Sequence, residues 1–144
     1  MELTMALNMS DLKTGDEHSE VVIDNLSRTQ LVMYSGASGD YNPLHTDDVY
    51  TKEVAGYPGV FAHGMLTMGL TGKMLTNYVG DGRLTKFGVR FTNQVWPGDT
   101  LTSTATVTEV RVEDGQALVD LDVKTTNQDG TTVVSGYATA KVDS

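Results

Sequence analysis

Polar and apolar positions alternate most regularly in the second half of the chain. Between residues 116 and 126, Val119, Leu121 and Val123 alternate with Asp120, Asp122 and Lys124. A period of two with one apolar set predicts a strand that is buried on one face and wet on the other. Stretches of the same kind at 84–92, 100–110 and 131–142 predict three further strands. The turn signals Pro97-Gly98-Asp99, Glu113-Asp114-Gly115 and Asp129-Gly130 separate them, so the four read as an antiparallel meander. Earlier in the chain, 19–24 reads as a strand. Ser27-Arg28-Thr29-Gln30 then has the spacing of a capping box and opens a helix through Leu31, Val32 and Tyr34, which ends in Gly36-Ala37-Ser38-Gly39. From Ala62 to about Val79, apolar and small residues occupy nearly the whole circumference, which predicts a helix buried on all sides. Gly64, Gly69 and Gly72 each weaken that helix by about 1 kcal/mol relative to Ala, so they imply close packing against a sheet or backbone.

These periods predict an α+β protein, with one buried helix beside an antiparallel sheet, as a single domain over residues 1–144. Length and composition agree with that and add exclusions. A chain of 144 residues buries roughly two thirds of its unfolded surface, so one core suffices without staples. With 39% hydrophobic and 20% charged residues the chain falls outside the collagen-like, disordered and membrane-embedded classes. Cysteine is absent, which removes thiol nucleophiles, thiolate metal sites and disulfides together. The first eight residues carry neither a basic lead nor a long apolar run, so no signal peptide is expected and the cytoplasm is the default location. The net charge of −9 argues against nucleic acid and anionic membranes, whose phosphates need clustered Lys and Arg. Lys73, Arg83, Lys86 and Arg90 are the candidates for any local basic patch.

The density of chemically unusual residues peaks between Tyr34 and Leu70. There the chain reads Tyr34-Ser35-Gly36-Ala37-Ser38-Gly39-Asp40-Tyr41-Asn42-Pro43-Leu44-His45-Thr46-Asp47, and later Ala62-His63-Gly64-Met65-Leu66-Thr67. Pro43 fixes its own φ and pushes Asn42 toward extended geometry, so the segment from Asp40 to His45 is expected to be rigid and irregular. Asp40 and His45 can then face one cavity, where a carboxylate and an imidazole supply a base and an acid near neutral pH. Taken singly, Asp40 after a glycine is an ordinary turn residue and His45 an ordinary hydrogen-bonded histidine. The complete string changes that weighting. It resembles the MaoC-like family, also called hydratase 2, whose signature runs from an aromatic through Ser/Thr-Gly-Asp-x-Asn-Pro-aliphatic-His to a His-Gly-Met helix start. Phe91-Thr92-Asn93-Gln94-Val95-Trp96-Pro97-Gly98-Asp99-Thr100 also looks like the family's late strand-turn-strand, and the resemblance covers roughly residues 10–142.

The resemblance implies a hotdog fold, a long central helix wrapped by a curled antiparallel sheet. It implies (R)-specific hydration of trans-2-enoyl thioesters, or the reverse dehydration of (R)-3-hydroxyacyl thioesters. Asp40 would take a proton from water as the oxygen adds to C3, and His45 would orient that water and pass a proton to C2. The charge that develops on the thioester oxygen needs a donor, and an unpaired N–H at a helix N-terminus is suited to it. Gly64 fills that role by analogy. Asn42, Tyr34 and His63 are candidates for binding the substrate, with helix-start support as the alternative role of His63. Asp47 receives no role, and Asp47, Asp48 and Glu53 read as a solvated face and a helix start. His18 reads as solvated.

No cofactor is expected, and no metal, because paired His spacing is absent. The nucleophile elbow, the dinucleotide loop and the phosphate-binding loop are also missing. Two rivals share the fold: an acyl-CoA thioesterase, and a non-catalytic acyl-binding partner subunit. The first usually places a carboxylate on the central helix, and Gly64 to Val79 contains none. The second would be expected to have lost at least one of Asp40, Asn42, His45 and Gly64. The expected substrate carrier is coenzyme A ahead of acyl-carrier protein, since an acidic carrier is repelled at long range. The expected assembly is a homodimer, or a heterodimer with a second hotdog subunit, with a pocket at the junction.

Overall fold

The computed structural model describes residues 6–144; the N-terminal leader expectation falls largely on residues 1–5, outside that range. Strand β1 (Glu17–Ile23) is followed by helix α1 (Arg28–Ser38). Two short turns follow, a 3-10 turn at Pro43–His45 and a single π turn at Tyr50–Val54. Helix α2 (Gly64–Val79) leads to β2 (Leu84–Phe91), β3 (Leu101–Glu113), β4 (Gln116–Thr126) and β5 (Thr132–Lys141). All five strands form one antiparallel sheet in the order β1-β3-β4-β5-β2. Only β3, β4 and β5 form the meander. The preceding strand, expected to join it beside β3, crosses instead to the far edge and pairs with β5 from Leu84↔Ala140 to Phe91↔Val134. The alternation reads correctly along each strand, but pairing order depends on where α2 delivers the chain. Periodicity does not carry that information.

The helix lies against the concave face of the sheet, and its far half makes most of the core. Met74, Leu75 and Val79 are fully buried against Val107, Val119, Leu121 and Ala138 from the meander. A second cluster gathers Leu26, Leu31, Val60, Val95 and Leu101 beneath α1. Helix α1 starts on the expected capping box: Ser27 Oγ accepts from Gln30 N–H while Gln30 Oε1 accepts from Ser27 N–H.

Burial of α2 differs from expectation. Met65 is 58% exposed and Gly69 meets nothing, whereas Thr67 and Thr71 are buried. In one chain the helix is therefore covered on the sheet side only. Gly64 is the glycine in real contact, since a Cβ there would lie 3.3 Å from three atoms of the Phe91 ring. His18, expected to be solvated, is half-buried. It stacks on Tyr78 with centroids 4.6 Å apart, and its Nε2 lies 2.7 Å from Glu20 Oε2. The basic patch is not assembled. Lys86 and Arg90 sit on the outer face of β2 with Tyr137, Lys73 is on α2 across the sheet, and Arg83 pairs with Asp143 at 2.9 Å. Among the described residues, no helix is long and apolar enough to cross a membrane.

Candidate active site

The end of α1 sets the first half of the site. Gly39 takes a left-handed conformation, φ 75°, which L side chains rarely adopt, and its N–H closes the helix on the Ser35 carbonyl at 3.0 Å. The chain then leaves the helix axis at Asp40. Two local bonds hold the next turn: Asn42 N–H donates to Asp40 Oδ1 at 3.2 Å, and Leu44 N–H donates to Asn42 Oδ1 at 3.1 Å. The first orients the Asp40 carboxylate, leaving Oδ2 free to face inward. The second makes Asn42 the cap of the 3-10 turn, with Pro43 in its first position. Asn42 thus spends its carbonyl oxygen on backbone, a positioning task.

That turn delivers His45, only 8% exposed, to the floor of the site. Its Nδ1 lies 2.6 Å from the Phe61 carbonyl, which can only accept. Nδ1 therefore carries a hydrogen and Nε2 presents its lone pair when the ring is neutral. Nε2 lies 3.9 Å from Asp40 Oδ2, and the Asp40 side chain is half exposed. The carboxylate and the imidazole, five positions apart in sequence, therefore share one spot that solvent reaches from the Asp40 side.

The second half of the site comes from the start of α2. His63 precedes the helix and Gly64 is its first residue, so the Gly64 N–H has no acceptor within the helix. A cavity of about 290 Å³ runs from Gly64 along Phe61, Thr67, Phe91 and Val134. Asp40 and His45 do not line it, contrary to the expectation of a shared hollow. The cavity and the Asp40–His45 pair meet instead through the segment from Phe61 to Gly64: the Phe61 carbonyl holds His45, and Phe61 is among the residues lining the cavity.

His63, expected either among the substrate contacts or as support for the helix start, faces no open space in the chain. It is 1% exposed and enclosed by Tyr34, Ser35, Asp40 and His45. Burial, and then the neighbouring His45, hold its pKa below the ordinary histidine value. Tyr34 is half-buried and turns its ring edge onto His63, with centroids 4.7 Å apart. Asp47 Oδ1 accepts from Tyr50 N–H at the start of the π turn, while Asp48 Oδ1 accepts from Val60 N–H and pairs with Arg28. Asp48 therefore ties two loops together where a solvated face was expected. Sequence reasoning missed Ser35, the Phe61 carbonyl and the Phe91 ring. Ser35 and Phe91 lie inside motif strings, but the partner of each is distant in sequence.

Asp40, His45 and His63 each place a potential metal-ligating atom within 4.8 Å of the others. Spacing rules do not find such a trio, because its members come from a loop, a turn and a helix start. The two imidazoles are stacked with centroids 3.8 Å apart and planes 24° from parallel. Lone pairs lie in the ring planes, so these two do not converge on one ion.

Comparison with known proteins places this geometry. The chain is 34% identical over 111 residues to 3-hydroxyacyl-thioester dehydratase Y of Mycobacterium tuberculosis, an alignment covering 75% of this chain and 37% of that protein. It is 37% identical over 112 residues to peroxisomal enoyl-CoA hydratase 2 of Arabidopsis thaliana, covering 76% of this chain and 33% of that protein. The chain thus spans about a third of the length of these curated relatives. The solved structure of R-hydratase PhaJ1 from Pseudomonas aeruginosa superposes with a TM-score of 0.83 at 26% identity, covering 96% of this chain and 86% of that one. The MaoC-like domain profile matches residues 11–129, a span that contains Asp40, His45 and the whole of α2, and the chain belongs to the MaoC-like domain family.

Proposed function

We propose that the protein is a hydro-lyase that catalyses the (R)-specific hydration of trans-2-enoyl thioesters and the reverse dehydration of (R)-3-hydroxyacyl thioesters. The observation that carries this reading is the 3.9 Å approach of Asp40 Oδ2 to Nε2 of His45. A water placed about 2.8 Å from both would donate one hydrogen to Asp40 and accept from Nε2–H of the protonated His45, the two bonds about 90° apart, close to the tetrahedral directions around a water oxygen. Asp40 takes the donated proton as the water oxygen bonds to C3. The C2–C3 π pair moves toward the thioester carbonyl, whose growing charge is received by the Gly64 N–H at the positive end of α2. His45, entering as imidazolium, gives a proton to C2. The proton gained by Asp40 then returns to His45 across the gap, so one water is added and the pair is restored.

Coenzyme A is the proposed carrier, consistent with the net charge of −9 disfavouring an acidic carrier protein. The proposed assembly is a pair of hotdog units, either two copies or this chain with a second subunit. Among the described residues strand β2 is hydrogen-bonded on one side only, and its terminal Phe91, half exposed, stands over Gly64 at the cavity. A partner strand along β2 would close that side of the cavity.

The test follows loss of enoyl absorbance with crotonyl-, octenoyl- and dodecenoyl-CoA. Asp40→Asn and His45→Gln should each lower turnover by about 100-fold or more. Full activity in both variants removes the mechanism, and release of free thiol assigns hydrolysis instead.

A further inference from the structure

His63 is the most enclosed side chain beside the acid/base pair, and nothing in the reaction above uses it. It does not cap its helix, because its side chain makes no bond to the first turn of α2. Its contacts point the other way. The ring lies flat on His45, centroids 3.8 Å apart, while Nε2 is 3.3 Å from the backbone carbonyl of Asp40 and 3.0 Å from Ser35 Oγ.

These contacts select a tautomer. A carbonyl only accepts, so Nε2 carries the hydrogen and shares it between Asp40 and Ser35. Nδ1 is then a buried lone pair, and it finds no donor among the described residues. A buried acceptor left unpaired destabilises the fold, so its presence in the structure calls for a reason. Protonating Nδ1 would not relieve it. The new N–H would have no acceptor, and its charge would lie against His45, the ring that must itself take up and release a proton. The groups facing this ring are His45 from the 3-10 turn, Asp40 from the loop, and Tyr34 and Ser35 from α1.

The segment that carries the pair needs such a support. Asp40 is half exposed, and its side chain and that of Asn42 are held by local bonds of 3.2 and 3.1 Å within the same loop. His63, itself buried, supplies a tie from the start of α2 to both members at once.

We propose that His63 is a positioning residue: as a neutral ring it fixes the Asp40 backbone through Nε2–H and the His45 imidazole through its face, so that carboxylate and imidazole keep one geometry and the stack holds its single exchangeable proton on His45. This rests on the reading of Asp40 and His45 as the acid/base pair.

Two variants separate the two grips. His63→Phe keeps a flat ring and deletes the donor; His63→Gln keeps an amide N–H within reach of the Asp40 carbonyl and deletes the ring. Each should lower kcat by about 10- to 100-fold per folded molecule while KM moves less than about threefold, because misplacing catalytic groups by a fraction of an ångström acts on turnover. The unmodified protein is examined beside them by nitrogen-15 NMR of its three histidines. The His63 signals should report the Nε2–H tautomer and stay constant from pH 5 to 8. A His63 that titrates in that range, or that carries its hydrogen on Nδ1, overturns the proposal without any variant having to fold. Wild-type kcat in both His63 variants, with Asp40→Asn and His45→Gln inactive, overturns the role of His63 alone. Wild-type rates in Asp40→Asn and His45→Gln overturn the acid/base pair, and the positioning role with it.

Discussion

Three buried hydroxyls between α2 and the sheet form a chain whose direction can be worked out. Thr71 Oγ1 lies 2.9 Å from the Thr67 carbonyl, which can only accept, so the Thr71 hydrogen is committed there. Thr125 Oγ1 lies 2.7 Å from Thr71 Oγ1 and must therefore donate to it. Ser103 Oγ, 2.6 Å from Thr125 Oγ1, must in turn donate to Thr125. All three residues are fully buried, so water replaces none of these partners. Thr71→Val keeps the shape but leaves the Thr125 hydrogen with no acceptor, which should cost about 1–3 kcal/mol. Ser103→Ala removes the donor at the start of the chain and orphans no hydrogen, so its cost should stay near the net worth of one bond, about 1 kcal/mol. Replacing all three residues, Thr71→Val, Ser103→Ala and Thr125→Val together, should cost clearly less than the sum of the single changes, since no polar group is then left waiting. Urea unfolding, followed by the fluorescence of the single tryptophan, Trp96, measures each midpoint and slope. A Ser103→Ala protein as weak as Thr71→Val, or a triple variant whose loss equals the sum, would refute the assigned direction.

Two further outcomes follow from single positions. Gly136→Ala should lower stability by more than about 4 kcal/mol, because a Cβ there would collide with the Gly88 carbonyl and sit 2.8 Å from Val89 Cα, both backbone of the paired strand β2; thermal melting and soluble yield report it. Stability should also fall below about pH 6.5 through His63: its folded pKa is lowered by burial and by His45, so the unfolded chain takes a proton there that the native ring refuses. The contribution is complete above the unfolded value and lost as the pH drops toward the folded one, so His63→Phe should flatten the change in urea midpoint between pH 7.5 and 5.5. Asp48 and Asp120 have carboxyl pKa values lowered by hydrogen bonds from Arg28 and Arg111, and their contributions disappear only in the more acidic carboxylate range.

What could be read from the residues alone divides along physical lines. Local signals were sufficient wherever the cause is local: the capping box at Ser27, the break at Pro43, and the alternation of Val119 to Lys124 each specify their own few residues. The same locality brought out Asp40 and His45, since both lie in one rigid hexapeptide. Strand order was not legible, because β2 pairs with β5 through the path that α2 takes. Nor was the exposure of Met65, because an apolar side chain implies a cover without saying whether that cover lies in the same chain. The enclosure of His63 was hidden for a related reason. Its neighbour Gly64 is a candidate substrate contact, but helix geometry turns the two in different directions, and only the packing of α1 shows which one is enclosed.

The distribution of polar and apolar contacts along α2 has a functional logic. Its far end is held by Met74, Leu75 and Val79, whose burial is strong but non-directional: apolar contact resists pulling the helix off the sheet far more than it resists sliding or rotating it. A donor aimed at a developing oxyanion tolerates little of either motion, since its worth depends on a hydrogen-bond distance to a position that exists only during reaction. The end nearest Gly64 is held differently. Thr71 ties the helix to β3 and β4 through directional hydroxyl bonds, and His63 ties its start to the Asp40 loop. Leucines at 67 and 71 would bury more apolar area but would leave the register of the helix start less defined. Directional bonds toward the Gly64 end and apolar packing at the other let one helix serve as the core of the fold and, in the proposed reaction, as the fixed side of the site.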